Sequence, residues 1–380
     1  MTERLKALGL MSGTSMDGVD AALVLTNGAT DIAAGADAYH AYDAPMREVL
    51  RAAMTLAADL PTAVLADLAL WPNALIEADA LVTQKHIEAV QDFCRAQTSD
   101  ADIDIIGLHG QTVVHRPDEG FTLQLGDGQA LAHAVGIDVV ARFRHADMAA
   151  GGQGAPLAPL FHAALLEGVS STPTSEVQAV INLGGIANIT WLSKQGADDA
   201  LLAFDSGPAN ALIDDWMAAH GGAAFDKDGA LAAAGRVDEA ALATLMANAY
   251  FALPPPKSLD RLAFATAMEQ LEALSPADGA ATLTAFTAHS IAAGLAQCPA
   301  PVPRIILCGG GRHNKTLCAM LAALLTAEIV DCDALGWHGD ALEAQLFGWL
   351  AVRSLYGLPL SRPETTGVKQ PISGGVLFKA

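Results

Sequence analysis

An α/β fold is predicted by three observations. Apolar strands alternate with helix-period stretches, three strands run into glycine-rich turns, and an opening hairpin recurs near the midpoint. The first hairpin pairs 7–11 with 19–25 across an oversized polar tip, Ser12 to Gly18. Residues 45–97 follow a helical period through Leu65, Leu68, Leu75, Leu81, Ile87 and Val90, broken near Pro72. Short strands are expected at 103–108, 121–125 and 137–141, where Gly, Pro and Asp punctuate the chain. The hairpin theme returns as 179–183, the turn Gly184-Gly185-Ile186-Ala187-Asn188, and 189–192. Helices follow at about 208–220, 231–247, 261–274 and 279–297; strand Arg304–Cys308 leads through Gly309-Gly310-Gly311 into a helix over 314–325, and a last helix spans 340–355. The repetition predicts two similar halves, drawn at 1–160 and 161–380. No low-complexity linker separates them, so a tight interface is expected.

Composition narrows the function. Of 380 residues 52% are apolar and 17% charged, which excludes a disordered chain. The mean hydropathy of +0.32 rests largely on alanine, and no window approaches the roughly 18 uninterrupted apolar residues of a spanning helix. The start, Met1-Thr2-Glu3-Arg4-Leu5-Lys6, lacks the apolar stretch of a secretory signal, so the chain is expected in the cytoplasm. Five scattered cysteines without CxxC spacing read as buried thiols. A net charge of −21, from 21 basic and 42 acidic residues, disfavours nucleic acid and anionic lipid as partners. An anionic ligand must therefore be held locally, by backbone N–H groups, a metal ion or a few placed arginines.

The glycine-rich turns supply such a device. Ser12 to Gly18, Gly184-Gly185 and Gly309-Gly310-Gly311 each follow an apolar strand, where bare backbone amides can approach phosphate oxygens. None matches GxxxxGK[ST] or GxGxxG, which disfavours P-loop and dinucleotide folds. Within Gly13-Thr14-Ser15-Met16-Asp17-Gly18-Val19-Asp20, the hydroxyls and amides suit phosphate; Asp17 or Asp20 either holds magnesium-bound water or serves an ordinary turn and strand end. Ser15 is not a hydrolase elbow, because GxSxG needs Gly where Asp17 stands.

Three further stretches carry polar groups. His109-Gly110-Gln111-Thr112, with His115, is read as following a buried strand, where ligands of α/β sheets collect; sugar hydroxyl recognition or a plain loop fits better than a metal. Arg142 and Arg144 are expected on alternating strand positions, either clamping one anion or pairing with surface acids, and Gly151-Gly152-Gln153-Gly154 follows. Asp205, in Phe204-Asp205-Ser206-Gly207-Pro208-Ala209-Asn210, stands at a strand end as a general base or a helix cap.

Taken together, Gly9 to Asp20, His109 to Thr112, Gly151 to Leu157, Asn182 to Asn188, Phe204 to Asn210, Pro255-Pro256-Lys257-Ser258 and Cys308 to Gly311 resemble the anhydro-N-acetylmuramic acid kinase family. The opening MSGTSMDGVD is highly specific to it, whereas other sugar kinases usually carry Asp-x-Gly-Gly-Thr at that hairpin. The resemblance implies an actin-like, ribonuclease H-like fold of two domains with a nucleotide cleft between them. It also implies a coupled reaction on 1,6-anhydro-N-acetylmuramic acid, in which water opens the anhydro bridge while ATP phosphorylates the released oxygen. The transferred phosphoryl group captures that oxygen, so one carboxylate suffices where glycoside cleavage normally pairs two.

By this resemblance Asp205 is the base, and Gly13 to Asp20 cradle ATP with Mg2+. Gly184, Gly185 and Gly309 to Gly311 face the nucleotide. His109, Gln111, Thr112, Arg144, Gln153 and Asn210 face the sugar, with Arg144 on its lactyl carboxylate; a homodimer is expected. The chain departs from the family at three places. Arg142 replaces the usual Asp before Phe-Arg, Ala209 replaces Gly in Gly-Pro-Gly-Asn, and Ser258-Leu259-Asp260-Arg261-Leu262 replaces Ser-Thr-Gly-Arg-Glu. Ala209 is tolerable if its φ is negative. The competing readings are an ordinary kinase of a free amino sugar and a non-enzymatic regulator or filament protein of the same superfamily; no DNA-binding head or basic face supports a regulator.

Overall fold

The structure is a computed structural model that describes residues 3–13, 16–97, 102–168, 177–194, 200–259, 264 and 266–380. It divides into two units, Met1–Ser170 with Ala341–Ala380, and Ser171–Asp340. The first unit carries β1 (Leu5–Ser12), β2 (Gly18–Thr26), β3 (Ile32–Ala41), β4 (Ile105–Arg116), β5 (Phe121–Leu125) and β6 (Val139–Ala141). Their order is β3-β2-β1-β4-β6; the first three form an antiparallel meander, β4 and β6 continue in parallel, and β5 pairs with β4. The second unit carries β7 (Val177–Leu183), β8 (Ile186–Ser193), β9 (Ala200–Pro208), β10 (Arg304–Cys308) and β11 (Glu328–Asp331) in the order β9-β8-β7-β10-β11. Again the first three are antiparallel and the others parallel. This shared order is the duplication that the recurring hairpin anticipates, and it agrees with the actin-like fold that the family resemblance implies. The chain's last strand, β12 (Val376–Phe378), pairs with β6.

Alternation along β1 fixes how the first unit is layered. Leu8 and Leu10 point into a core shared with Leu75, Val82, Val90 and Phe93 of helix Asn73–Ala96. Gly9 faces the other way. A Cβ there would collide with the Ala344 carbonyl oxygen, and one on Gly107, its partner across β4, with the Phe347 carbonyl oxygen. Helix Leu342–Leu355 thus lies directly on the sheet backbone. The second unit buries Ile181, Ile189, Phe204 and Ile305 against Ala288 and Ile291 of helix Pro276–Leu295.

Several expectations change. The halves are not 1–160 and 161–380: residues 341–380 return to the first unit, because their helix and strand complete its sheet. β4 does not end at Leu108 but runs on to Arg116, its polar half stabilised by pairing with β5. In the stretch 261–274 the described residues carry 3-10 turns, such as Glu269–Leu271, rather than an α-helix.

Candidate functional site

The first loop joins β1 to β2. Thr14 and Ser15 lie outside the described residues. Met16 closes the turn with φ +54°, its N–H donating to the Gly13 carbonyl at 3.1 Å, and its side chain is buried with Val19 in the core. Asp17 is exposed and Asp20 half-buried. Both bear on Tyr39, the β3 partner of Asp20, whose phenol is pushed up to about 12 by burial, then by Asp17, then by Asp20. Gln111 on β4, fully buried, donates through Nε2 to the Gly13 carbonyl at 3.0 Å. Its amide therefore braces the loop. Behind it Ser12 Oγ lies 3.4 Å from Nε2 of His86, which burial lowers to about 4.

A second group forms around Arg144. His109 Nδ1 lies 2.7 Å from the Gly110 carbonyl, which assigns the proton there and leaves Nε2 to accept from Arg144 Nη2 at 3.0 Å. Burial first and the guanidinium second hold His109 well below its ordinary value. Arg144 Nη1 donates to the Gly154 carbonyl at 2.9 Å, and the Gln153 N–H donates to the Thr366 carbonyl at 2.8 Å. Thr112 Oγ1 accepts from Gln124 Nε2 at 3.3 Å. Arg142 and Arg144 do not share a strand face. β6 ends at Ala141, and Arg142 turns out with φ +59° to lie 5.6 Å from the Phe378 ring. Among the described residues, the cluster of three acidic, cysteine or histidine side chains close enough to share an ion is Asp331, Cys332 and Asp333, and it includes neither His109 nor His115.

The second unit contributes the carboxylate. Asp205 sits on β9 opposite Asn188 of β8, and its Oδ2 accepts the Leu259 N–H at 2.8 Å. Its backbone N–H donates to the Lys257 carbonyl at 2.9 Å, and its carbonyl accepts the Tyr250 hydroxyl at 2.6 Å. The Tyr250 phenol is raised by burial and then by Asp205, so it stays protonated. Lys257 is buried, its Nζ 3.2 Å from the Tyr250 carbonyl and 4.6 Å from that ring's centroid, and burial lowers its pKa. Segment 250–259 thus fixes both backbone and carboxylate of Asp205.

Helix capping is served by other groups. Gly184 and Gly185 carbonyls accept the N–H groups of Ala209, Asn210 and Ala211 at 2.9 to 3.2 Å, at the start of helix Asn210–Trp216. Asn210 Nδ2 donates to the Leu183 carbonyl at 2.8 Å. Ala209 keeps the required negative φ, −123°, with a ψ of −112°. In the glycine triplet, Gly309 has φ +78° and packs on Asn182; Gly311 packs on Leu183 and Asn210; Gly310 faces open space. Arg312 follows, donating from Nη1 to the Gly309 carbonyl at 3.2 Å while pairing with Asp340 and Asp333 at 2.6 and 3.0 Å.

Within the first unit, then, Gly13 meets Gln111, and His109 meets Arg144 beside Gln153. Within the second, Gly184 and Gly185 meet Asn210, which touches the triplet. Tyr250, Lys257 and Arg312 were not singled out by sequence reasoning. The Pro-Pro-Lys-Ser motif was the available signal for Lys257; Tyr250 and Arg312 had none. Residues 260–262 of the third departure lie outside the described residues.

The family model for Anhydro-N-acetylmuramic acid kinase matches residues 5–380. A relative of that name from Rhizorhabdus wittichii is 50% identical, with all of both chains covered. Another from Acidiphilium cryptum is 50% identical over 99% of this chain and 98% of its own, and a third from Azorhizobium caulinodans is 49% identical over 99% of each. With its matching motifs spread over both units, the chain belongs to the anhydro-N-acetylmuramic acid kinase family and is a kinase.

Proposed function

We propose that this kinase acts on 1,6-anhydro-N-acetylmuramic acid, opening the anhydro ring with water and transferring the γ-phosphoryl group of ATP to the released oxygen. On this reading the products are N-acetylmuramic acid 6-phosphate and ADP, and the enzyme serves peptidoglycan recycling in the cytoplasm. The observation that carries this reading is Asp205, a carboxylate anchored by the Leu259 N–H within a segment whose backbone is itself fixed at Lys257 and Tyr250. Asp205 takes a proton from water, the water oxygen bonds to C1, and the C1–O6 bond breaks. O6 accepts the phosphoryl group as ADP leaves, and the proton then passes from Asp205 to solvent.

Gly13 to Asp20 and Gly309 to Gly311 hold the nucleotide through backbone amides, while Gly184 and Gly185 support that site through the helix they cap. Asp17, on the exposed β1–β2 loop, and Asp20, half-buried on β2, are the oxygen donors that would hold Mg2+ through water. When bound, the ion would neutralise phosphate charge. Arg144 recognises the lactyl carboxylate, and His109, Thr112, Gln153 and Asn210 line or brace the sugar side. The family resemblance also supports a homodimer.

The test follows ADP release in oxygen-18 water over a panel of anhydro and free amino sugars. Turnover of the anhydro sugar with solvent oxygen on C1 is expected; turnover of free amino sugars alone would replace this reading with an ordinary sugar kinase. Asp205→Asn is expected to lower kcat by about three orders of magnitude in a folded protein, as loss of a general base does.

A further inference from the structure

The loop that meets Arg144 is pinned residue by residue from a direction the sequence does not suggest. Asp147, buried on helix His145–Ala149, accepts the Gly154 N–H on Oδ2 at 2.7 Å. Its Oδ1 accepts the Thr366 hydroxyl at 2.6 Å and the Ser361 hydroxyl. Its backbone carbonyl accepts the Gly152 N–H at 2.9 Å, and a Cβ on Gly152 would collide with the carboxylate. Between them, Gln153 donates to the Thr366 carbonyl. Residues 152, 153 and 154 are therefore tied in turn to Asp147, Thr366 and Asp147. A buried carboxylate that satisfies several donors at once holds them more stiffly than neutral pairs would.

The tie reaches the sugar side through one carbonyl. Gly154 accepts from Arg144 Nη1, and Arg144 Nη2 rests on His109 Nε2. We infer that Asp147 is a positioning residue for sugar recognition: through it, the C-terminal segment 361–366 sets where the Arg144 guanidinium is held. Resting on the proposal that Arg144 meets the lactyl carboxylate, this assigns the end of the chain a part in substrate affinity. A group displaced by about an ångström from its productive place forfeits much of its effect.

Calorimetry on the full chain tests this with two sugars, 1,6-anhydro-N-acetylmuramic acid and 1,6-anhydro-N-acetylglucosamine, which lacks the lactyl group. Asp147→Asn is expected to weaken binding of the muramic sugar about tenfold while changing the affinities for the analogue and for MgATP less than about twofold. Thr366→Val and Ser361→Ala should follow the same pattern with smaller losses, and they carry the test if Asp147→Asn does not fold. Equal losses on both sugars and MgATP would reduce Asp147 to a structural role, and unchanged affinity in all folded variants would remove it from recognition. Should the wild-type protein itself fail to bind the muramic sugar, the functional reading falls; the Asp147 inference alone falls when the wild type binds and the variants match it.

Discussion

Gly310 stands between two glycines that the fold needs for its own packing, yet it has open space where a side chain would go. The contrast separates stability from nucleotide binding. Gly309→Ala would press a Cβ on Asn182 at a left-handed φ of +78°, and should destabilise the protein by about 2 kcal/mol or more in urea titration. A Cβ on Gly310 meets no described residue, so with Gly310→Val the melting temperature should hold within about 2 °C while the KM for MgATP rises roughly tenfold. An unchanged KM would remove the triplet from the nucleotide. Arg142 offers the opposite case, a side chain in a backbone well that Asn and Asp tolerate better. Left-handed φ costs an ordinary L-residue about 1 to 2 kcal/mol, whereas an exposed cation–ring contact such as Arg142 on Phe378 contributes about 0.5. Relief outweighs the lost contact. Arg142→Asn should raise the urea midpoint by an amount equivalent to about 0.5 kcal/mol or more, and a lower midpoint would contradict the strain argument.

At the scale of elements, the first unit depends on how closely helix Leu342–Leu355 lies on β1 and β4. Gly9→Ala places a methyl group against the Ala344 carbonyl, where backbone cannot yield as a side chain would, and should cost about 3 kcal/mol. A thermal melt indistinguishable from wild type would contradict that seating. The sequence made the glycine-ended strands legible, because β1, β7 and β10 are short apolar runs stopped by flexible residues. It concealed β3, whose largely exposed face gives little alternation, and the far half of β4, whose histidines and Gln111 read as a loop until β5 supplies the pairing partner. The candidate site divides in the same way. Asp205 and the turns were visible because carboxylates and clustered glycines are conspicuous after apolar strands. Tyr250 and Asp147 act through contacts with Asp205, Ser361 and Thr366, far along the chain, and Arg312 through acids 21 and 28 residues on; local spacing carries no trace of such partners, and Lys257 was visible only within Pro-Pro-Lys-Ser. Arg142 and Arg144 misled for a related reason: alternation implies a common face only while the strand lasts, and β6 stops one residue earlier.

For the whole molecule, the division into units predicts where acid acts first. Among the described residues the buried histidines, His86, His109 and His162, all belong to the first unit, as does the half-buried His115. Burial lowers His86 and His115 to about 4 and His162 to about 3, and burial with Arg144 lowers His109. Their unfolded value lies near 6.5. Between that value and the folded ones the unfolded chain binds more protons, so their stabilising contribution is complete above about pH 6.5 and declines as pH falls. Each fully titrating histidine contributes a slope of about 1.4 kcal/mol per pH unit, so three buried ones together approach 4. A small shift below pH 6 should therefore loosen the first unit while the second holds. Hydrogen exchange, corrected for intrinsic rates, should find amides of β1 and β4 losing protection between pH 7 and 5.5 before those of β7 and β10. Sugar affinity of the folded protein should hold over the same range, because His109, kept well below its ordinary value by burial and Arg144, retains an unprotonated Nε2 that accepts from Arg144. Parallel loss of protection in both units, or earlier loss in the second, would show that acid acts through the carboxylates spread over the chain rather than through these imidazoles.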